Sequence, residues 1–262
     1  MNTTDKEWEK LGKTDPYFGV IVEEKFKTKN LTQQNLELFF DSGERYADNV
    51  FNAIENAIGE KFNPEAALDF GCGVGRLTIP LSKRCKHIVG VDISESILKE
   101  ARTNSEKFGT FNTVYKGYSE KFIVANRFDF INTYVVLQHI LVKTGNDIIG
   151  NLLTSLSEGG IAVIHVTFSE TDSKKMQFRK YFNVLAGKSV VVNGLYKIVR
   201  RIVRNVNFFT PVIQMNYYDL NIVLRNVYDS NCTVIGNEFT NHGGSIGSIL
   251  FVRKGIASKY KF

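Results

Sequence analysis

Residues 68–75 read LDFGCGVG, and the fold turns on what the three glycines, Gly71, Gly73 and Gly75, are there to do. A β-rich run, "AALDF" (66–70), leads into them, and an amphipathic stretch, "RLTIPLSKR", follows. That order reads as strand, glycine turn, helix. Glycines at such a junction let the backbone turn tightly and approach a ligand closely. The next apolar run, "HIVGVDI" (87–93), brings Asp92 to a strand end 17 residues beyond Gly75. A carboxylate there can accept hydrogen bonds from both hydroxyls of a ribose. The plainer reading is a tight turn with an aspartate capping the next helix. Strand before, helix after and acid at the next strand end together favour a ligand-binding loop.

Outward from the loop the alternation continues. "SESILKEARTNSEKFG" is a helix with Ser94 or Ser96 as its cap and Gly109 past its end. "NTVYKG" is a third strand, "FDFINTYVV" a fourth, "DIIGNLLTSL" a helix and "GGIAVIHVTF" (159–168) a fifth strand. Strands alternating with helices at this spacing predict a parallel sheet covered on both faces. After Phe168 the rhythm breaks, then resumes with the helix "YDLNIVLRNVYDS" and two strands, "CTVIGNEF" and "SIGSILFVRK". About five residues separate those two, too few for a helical crossover, so they are expected to pair antiparallel. The expected organisation is a helical arm over 1–45, a core over 46–168 and 217–262, and a cap insertion over 169–216.

The composition, 43% hydrophobic and 23% charged, is that of a globular chain of 262 residues. No apolar run approaches the roughly 18 residues that span a bilayer. "MNTTDKEWEKLGK" is too polar for a secretory signal. Cys72, Cys85 and Cys232 are widely spaced and odd in number, which indicates neither a disulfide framework nor a zinc site. A soluble protein of a reducing compartment, the cytoplasm, is the expectation. The net charge is +6, yet nine Lys or Arg and no Asp or Glu lie between Ser173 and Tyr218. Without that segment 24 basic residues face 27 acidic ones, so no nucleic-acid partner is expected.

A dinucleotide loop reads GxGxxG, whereas this one reads GxGxG with Asp69 two residues ahead. With Asp92 and the terminal hairpin, the chain resembles the class I S-adenosylmethionine-dependent methyltransferases over about 63–168 and 217–253. The resemblance implies a Rossmann-like α/β fold: seven strands, mostly parallel, the last antiparallel, with helices on both faces. It implies S-adenosylmethionine as cofactor, with Gly71, Gly73 and Gly75 around its methionine part. Asp69 would anchor the loop and the cofactor's amino group, Asp92 would hold the ribose, and Ile93 would pack on the adenine. Arg76 and Thr133 are assigned to the same cofactor shell. The family often carries an acid after the third strand; Tyr118 or Ser119 stands there instead.

Methyl transfer to a hydroxyl is helped by a base, and histidine is the usual choice near neutral pH. His139, in "VVLQHI", lies just beyond the fourth strand, and many small-molecule methyltransferases carry a similar segment. His242, in "EFTNHGGSIG", falls in the turn after the sixth strand, which topology sends to the same edge. These two are the candidate bases. His165 reads as a core residue and His87 as an exposed one.

In the arm, "DPYFGV" followed by "SGE" resembles bacterial methyltransferases of surface-polysaccharide and other glycan pathways. That likeness implies Tyr17 and Phe18 closing over cofactor or substrate, and Arg45 meeting the cofactor carboxylate. The alternative is a packing arm with both aromatics in a small core. Ser42 is expected to cap the helix "FFDSGERYADNVFNAI". In the insertion, Leu195, Ile198, Val199, Ile202, Val203 and Val206 recur at helical spacing, with Lys197, Arg200, Arg201 and Arg204 opposite. Such a helix is either a solvated lid or a peripheral membrane contact. As a cap over the acceptor it suggests an anionic one, such as a nucleotide- or lipid-linked sugar. Gln214, Asn216 and Tyr217 are the expected substrate contacts.

The leading expectation is an O-methyltransferase of a small molecule or glycan. N-methylation of an amine and a non-catalytic, membrane-recruited module are the alternatives. No metal is called for. The loop spacing disfavours an NAD-dependent dehydrogenase, and Asn132-Thr133-Tyr134-Val135 stands where a base-methylating enzyme carries an NPPY-type motif.

Overall fold

The computed structural model describes residues 3–172 and 214–255. The arm comprises α1 (Thr3–Thr14) and α2 (Pro16–Val20), and α3 (Gln33–Ile58) follows. Then come β1 (Ala66–Phe70), α4 (Thr78–Ser82), β2 (His87–Asp92), α5 (Glu95–Lys107), β3 (Thr113–Gly117) and α6 (Glu120–Ala125). β4 (Phe128–Thr133), α7 (Val142–Thr154) and β5 (Leu156–Glu170) complete the first half; α8 (Leu220–Asp229), β6 (Cys232–His242) and β7 (Ser245–Lys254) close the chain.

The seven strands form one sheet in the order β3-β2-β1-β4-β5-β7-β6. β1 to β5 are mutually parallel where they pair, and β7 runs antiparallel to both β5 and β6. β6 is therefore parallel to the first five, and its C-terminal end reaches the edge where the β1 glycine loop lies. Strand alternation sorts the core into two layers. Leu68, Ile131, Ile164 and Leu250 pack toward α7 and α8. Ala67, Phe130, Val163 and Phe251 pack under α3 and α4.

Three local expectations are corrected. α3 begins at Gln33, capped by Thr32, whose hydroxyl accepts from the Asn35 N–H at 3.2 Å; Ser42 lies inside the helix. The apolar face simply extends further back, through Phe39 and Phe40. The helix therefore runs unbroken across 45/46, where the arm was expected to end. His242 is the last residue of β6, paired with Ser245, so only Gly243 and Gly244 form the turn. The basic amphipathic stretch 195–206 and its expected cap lie outside the described residues.

Candidate active site

The loop leaves β1 and closes over the ends of β1 and β2. Gly71 N–H and Cys72 N–H donate to the Val91 carbonyl at 2.7 and 3.0 Å. The Gly73 N–H donates to Asp92 Oδ2 at 3.1 Å. Gly71, Gly73 and Gly75 all have positive φ, 76°, 55° and 87°, which side-chain-bearing residues rarely adopt. Asp69 is buried beneath: its carboxylate accepts from Thr78 Oγ1 at 2.6 Å and Asn132 Nδ2 at 2.8 Å. Tyr46 of α3 donates to Asn132 Oδ1 at 2.7 Å. One chain of hydrogen bonds thus ties α4, β1, β4 and α3 together. Burial raises the Asp69 carboxyl above its ordinary value, against the opposing pull of Thr78 and Asn132.

Asp92 takes one N–H on each oxygen, Gly73 on Oδ2 and Ser94 on Oδ1 at 3.1 Å. Each carboxylate oxygen has a second lone pair, which suits the two hydroxyls of a ribose. Burial raises its carboxyl too, with the backbone N–H groups pulling the other way. Two further polar atoms at this edge are buried without a partner: Arg76 Nε and Thr133 Oγ1. The glycine loop and the half-satisfied aspartate fit an adenosine, and the orphaned donors leave polar capacity at this edge for a bound anionic or polar group. Tyr118 stands edge-on to Phe70, with its N–H on the Asp92 carbonyl at 2.9 Å. Ser119 is the cap of α6 and accepts from the Phe122 N–H at 3.3 Å. Ile93 is half-buried between Asp92 and the Ser94 cap of α5.

α3 interlocks with the loop. A Cβ on Gly43 would lie 2.0 Å from the Arg76 carbonyl oxygen, so only glycine permits this approach. Ser42 beside it accepts from Arg76 Nη1 at 3.2 Å. Arg45 is exposed on the helix, and the arginine buried at the loop is Arg76, 9% exposed. The arm lies over the same region. Glu9 of α1 accepts from Ser94 Oγ (2.7 Å), the Ser96 N–H (3.2 Å) and Ser96 Oγ (2.6 Å) at the start of α5. Despite partial burial, these serine bonds hold its carboxyl down at about 2.

Two expected substrate contacts of the arm are placed differently. Tyr17 is buried against Phe39 and Phe40, with its hydroxyl on Glu100 at 2.7 Å and Asn104 Oδ1 at 2.9 Å. It serves a small aromatic core rather than closing over a ligand. Phe18 is half-buried under Lys27, whose Nζ sits 5.0 Å from the ring centre. The 214–218 segment is likewise welded inward. Asn216 N–H and Nδ2 donate to the Gln138 carbonyl at 2.7 and 3.2 Å, and Tyr217 donates to Glu170. Asn216 and Tyr217 are thus buried structural contacts, while Gln214 acts through its carbonyl.

Three of the four histidines gather at the C-terminal edge of β4, β5 and β6, close enough for the charges of His139 and His242 to act on His165. His139 Nδ1 lies 2.8 Å from the Gln214 carbonyl, which fixes the proton on Nδ1. Its Nε2 faces Gln138 Nε2 at 3.2 Å, and Gln138 Oε1 accepts from Thr167 Oγ1 at 2.6 Å. Trp8 of the arm stands edge-on at 5.2 Å. Burial holds the His139 imidazole down at about 4, against the carbonyl bond. His165 is pushed to about 3, first by burial, then by the neighbouring histidines. Its Nε2 bonds Thr240 Oγ1 at 2.9 Å.

His242 is exposed. Its Nε2 lies 3.3 Å from the Tyr134 hydroxyl, and its ring meets Tyr134 and His165 at 5.8 and 5.3 Å. Burial and the Arg76 charge lower its imidazole below the ordinary value. Tyr134 leans on Tyr46, ring centres 4.5 Å apart. Val135, next in the chain, holds φ at 61°, a conformation costing a β-branched residue roughly 1–3 kcal/mol. Tyr46, Tyr134 and Gln138 were not foreseen. The signal for Tyr134 was its place, first after a strand ending at the ligand edge.

A methyltransferase domain family matches residues 67–160, from β1 into β5. The chain is 34% identical over 77 residues to an uncharacterised RNA methyltransferase of Chlorobaculum tepidum, 29% of this chain and 16% of that protein. It is 32% identical over 130 residues to a Methanococcus vannielii protein described as a probable cobalt-precorrin-6B C(15)-methyltransferase (decarboxylating), 47% of this chain and 67% of that one. Magnesium protoporphyrin IX methyltransferase of Synechocystis PCC 6803, with bound S-adenosylmethionine, superposes with a TM-score of 0.61 at 13% identity, covering 97% of this chain and 98% of that one. The match thus spans a small part of the first relative and two thirds of the second. The β1 loop with its aspartate, the sheet order and the sequence kinship converge: this chain belongs to the class I S-adenosylmethionine-dependent methyltransferases.

Proposed function

We propose that the chain methylates a hydroxyl of a small molecule or sugar, with His242 as the base. The observation that carries this is the exposed His242 paired with Tyr134 at the edge the glycine loop occupies. S-adenosylmethionine supplies an electrophilic methyl on a sulfonium. The chain's task is to align the acceptor oxygen with it and take the proton. The acceptor proton passes to His242 Nε2, directly or through the Tyr134 hydroxyl, and the ether and S-adenosylhomocysteine leave. His139, enclosed by Gln138, Gln214 and Trp8, shapes the pocket instead.

The glycan-pathway likeness of the arm and the acid-free segment 173–218 support an anionic acceptor, such as a nucleotide- or lipid-linked sugar. Among the described residues no helix is long and apolar enough to cross a membrane. Action in the cytoplasm, with the basic insertion either capping the acceptor or touching an anionic membrane, completes the reading. A second reading is N-methylation of an amine, favoured by one observation: His139, His165 and His242 are all held below their ordinary value, and an amine needs no strong base.

Calorimetry with S-adenosylhomocysteine, then methyl transfer to a panel of anionic hydroxyl and amine acceptors, tests the proposal. Asp92→Ala removes both ribose contacts and is expected to weaken product binding roughly 100-fold, at about 1.5 kcal/mol per bond to a charged group. Unchanged binding would remove the cofactor site from this loop.

A further inference from the structure

Arg76 is a buried cation with almost nothing to answer it. Ser42 Oγ takes Nη1, and Nε is buried without a partner. The carboxylate acting on it, Asp69, is already bonded to Thr78 and Asn132. Among the described residues Arg76 forms no ion pair, and the rest of the chain contains no Asp or Glu side chain to supply one. A guanidinium stays charged at any working pH, and burying one unpaired costs several kcal/mol. Its Nε edge is the face that takes a carboxylate or phosphate through paired bonds. The groups around it, Ser42, Tyr46, Tyr134 and His242, belong to α3, the β4 exit and the β6 end, not to the Asp92 side.

We propose that Arg76 receives a carboxylate or phosphate of the methyl acceptor, and that the acceptor's own anion thereby arms His242 as its base. This rests on the hydroxyl-transfer reading above. The groups facing His242 are Tyr134 after β4 and His165 on β5, with the Arg76 charge acting on it from the loop; Tyr46 on α3 and Glu238 on β6 reach it only through Tyr134, which leans on Tyr46 and feels the Glu238 charge. Only Arg76 is a fixed cation. With no anion bonded to its guanidinium, it opposes protonation of the imidazole. An anion seated on Arg76 cancels that opposition, so the base strengthens when the substrate that needs it has arrived. An acceptor lacking the anion would meet a weaker base, a form of substrate selection that operates on the rate rather than on binding alone.

The test is an NMR pH titration of the His242 ring in protein saturated with S-adenosylhomocysteine, with and without sulfate as the anion probe. Sulfate is expected to raise the His242 midpoint by about one pH unit. Arg76→Met should abolish the shift, and Arg76→Lys should keep part of it; thermal melts establish that both variants fold. No shift with sulfate, or the same shift in Arg76→Met, overturns the proposal. If S-adenosylhomocysteine alone produces the shift and sulfate adds nothing, the cofactor's carboxylate owns Arg76, and the acceptor assignment falls. The measurement needs no turnover, so failure of hydroxyl transfer on the acceptor panel would be seen separately.

Discussion

His139 and His242 stand at the same edge of one sheet, and their surroundings differ. His139 is held on every side: a backbone carbonyl on Nδ1, an amide on Nε2, an indole against the ring. His242 ends an exterior strand, faces solvent and has one loose partner, the Tyr134 hydroxyl at 3.3 Å. A base must exchange its proton with substrate and then with water. Enclosure that fixes a ring also denies it that exchange, so position at the edge is less informative than what each nitrogen is already doing.

The sharpest way to break this division is to remove each ring. His242→Ala should lower the rate of hydroxyl methylation by roughly 10²–10⁴, the usual contribution of a positioned base, while shifting stability by no more than about 0.5 kcal/mol. His139→Ala should do the reverse. It leaves the Gln214 carbonyl and the Gln138 amide without their partner, at about 1–3 kcal/mol of stability, and preserves more of the rate. Turnover assays paired with denaturant melts check both, and a His139 variant that folds normally but is inactive would invert the assignment.

Stability against pH separates them further. The unfolded His139 titrates near 6.5 and the folded one at about 4. Between those values the unfolded chain holds the extra proton, so its contribution is intact above pH 6.5 and is lost on acidification toward 4. A shift of that size corresponds to roughly 3 kcal/mol, and His165, held at about 3, carries the loss lower. Glu9 acts in the same sense from a carboxylate, over a lower window: its contribution holds above about pH 4.5 and is lost as pH falls toward 2. Chemical denaturation from pH 7 to 4 should therefore show weakening well before the carboxylates titrate, and less of it in His139→Gln.

The smallest effect is expected at the arm. Glu9→Gln keeps shape but loses charge-assisted bonds to Ser94 and Ser96, at about 1 kcal/mol. Because α1 also carries Trp8, loosening it should let the His139 midpoint rise from about 4 by a few tenths of a unit while leaving His242 unmoved. Histidine NMR on the variant reads both rings at once.

What the sequence disclosed follows the same division. The glycine loop, Asp92 and the strand rhythm are local patterns, and a pattern over eight or twenty residues is visible without knowing the fold. The crossing of the last two strands followed from linker length alone. Tyr17 stayed open between ligand and small core, and Asn216 and Tyr217 were expected at the ligand, because an aromatic or amide near a site has no local mark saying which it faces. That is decided by partners far along the chain, Glu100 and Asn104 for Tyr17, Gln138 for Asn216. Ser42 reads as a cap in the sequence because serine before an apolar run is what a cap looks like. Its role is instead to meet an arginine 34 residues away.

The position of β7 has a consequence for how the chain assembles. It pairs on one side with β5 and on the other with β6, yet it follows both in the chain. While the polypeptide is being synthesised, β5 therefore waits with Ile161–Glu170 as an open, apolar edge until some eighty residues later its neighbour arrives. Such an edge is a template for wrong pairing. The histidine edge is thus the last part of the sheet to form, and the part most exposed to aggregation if translation stalls after β5.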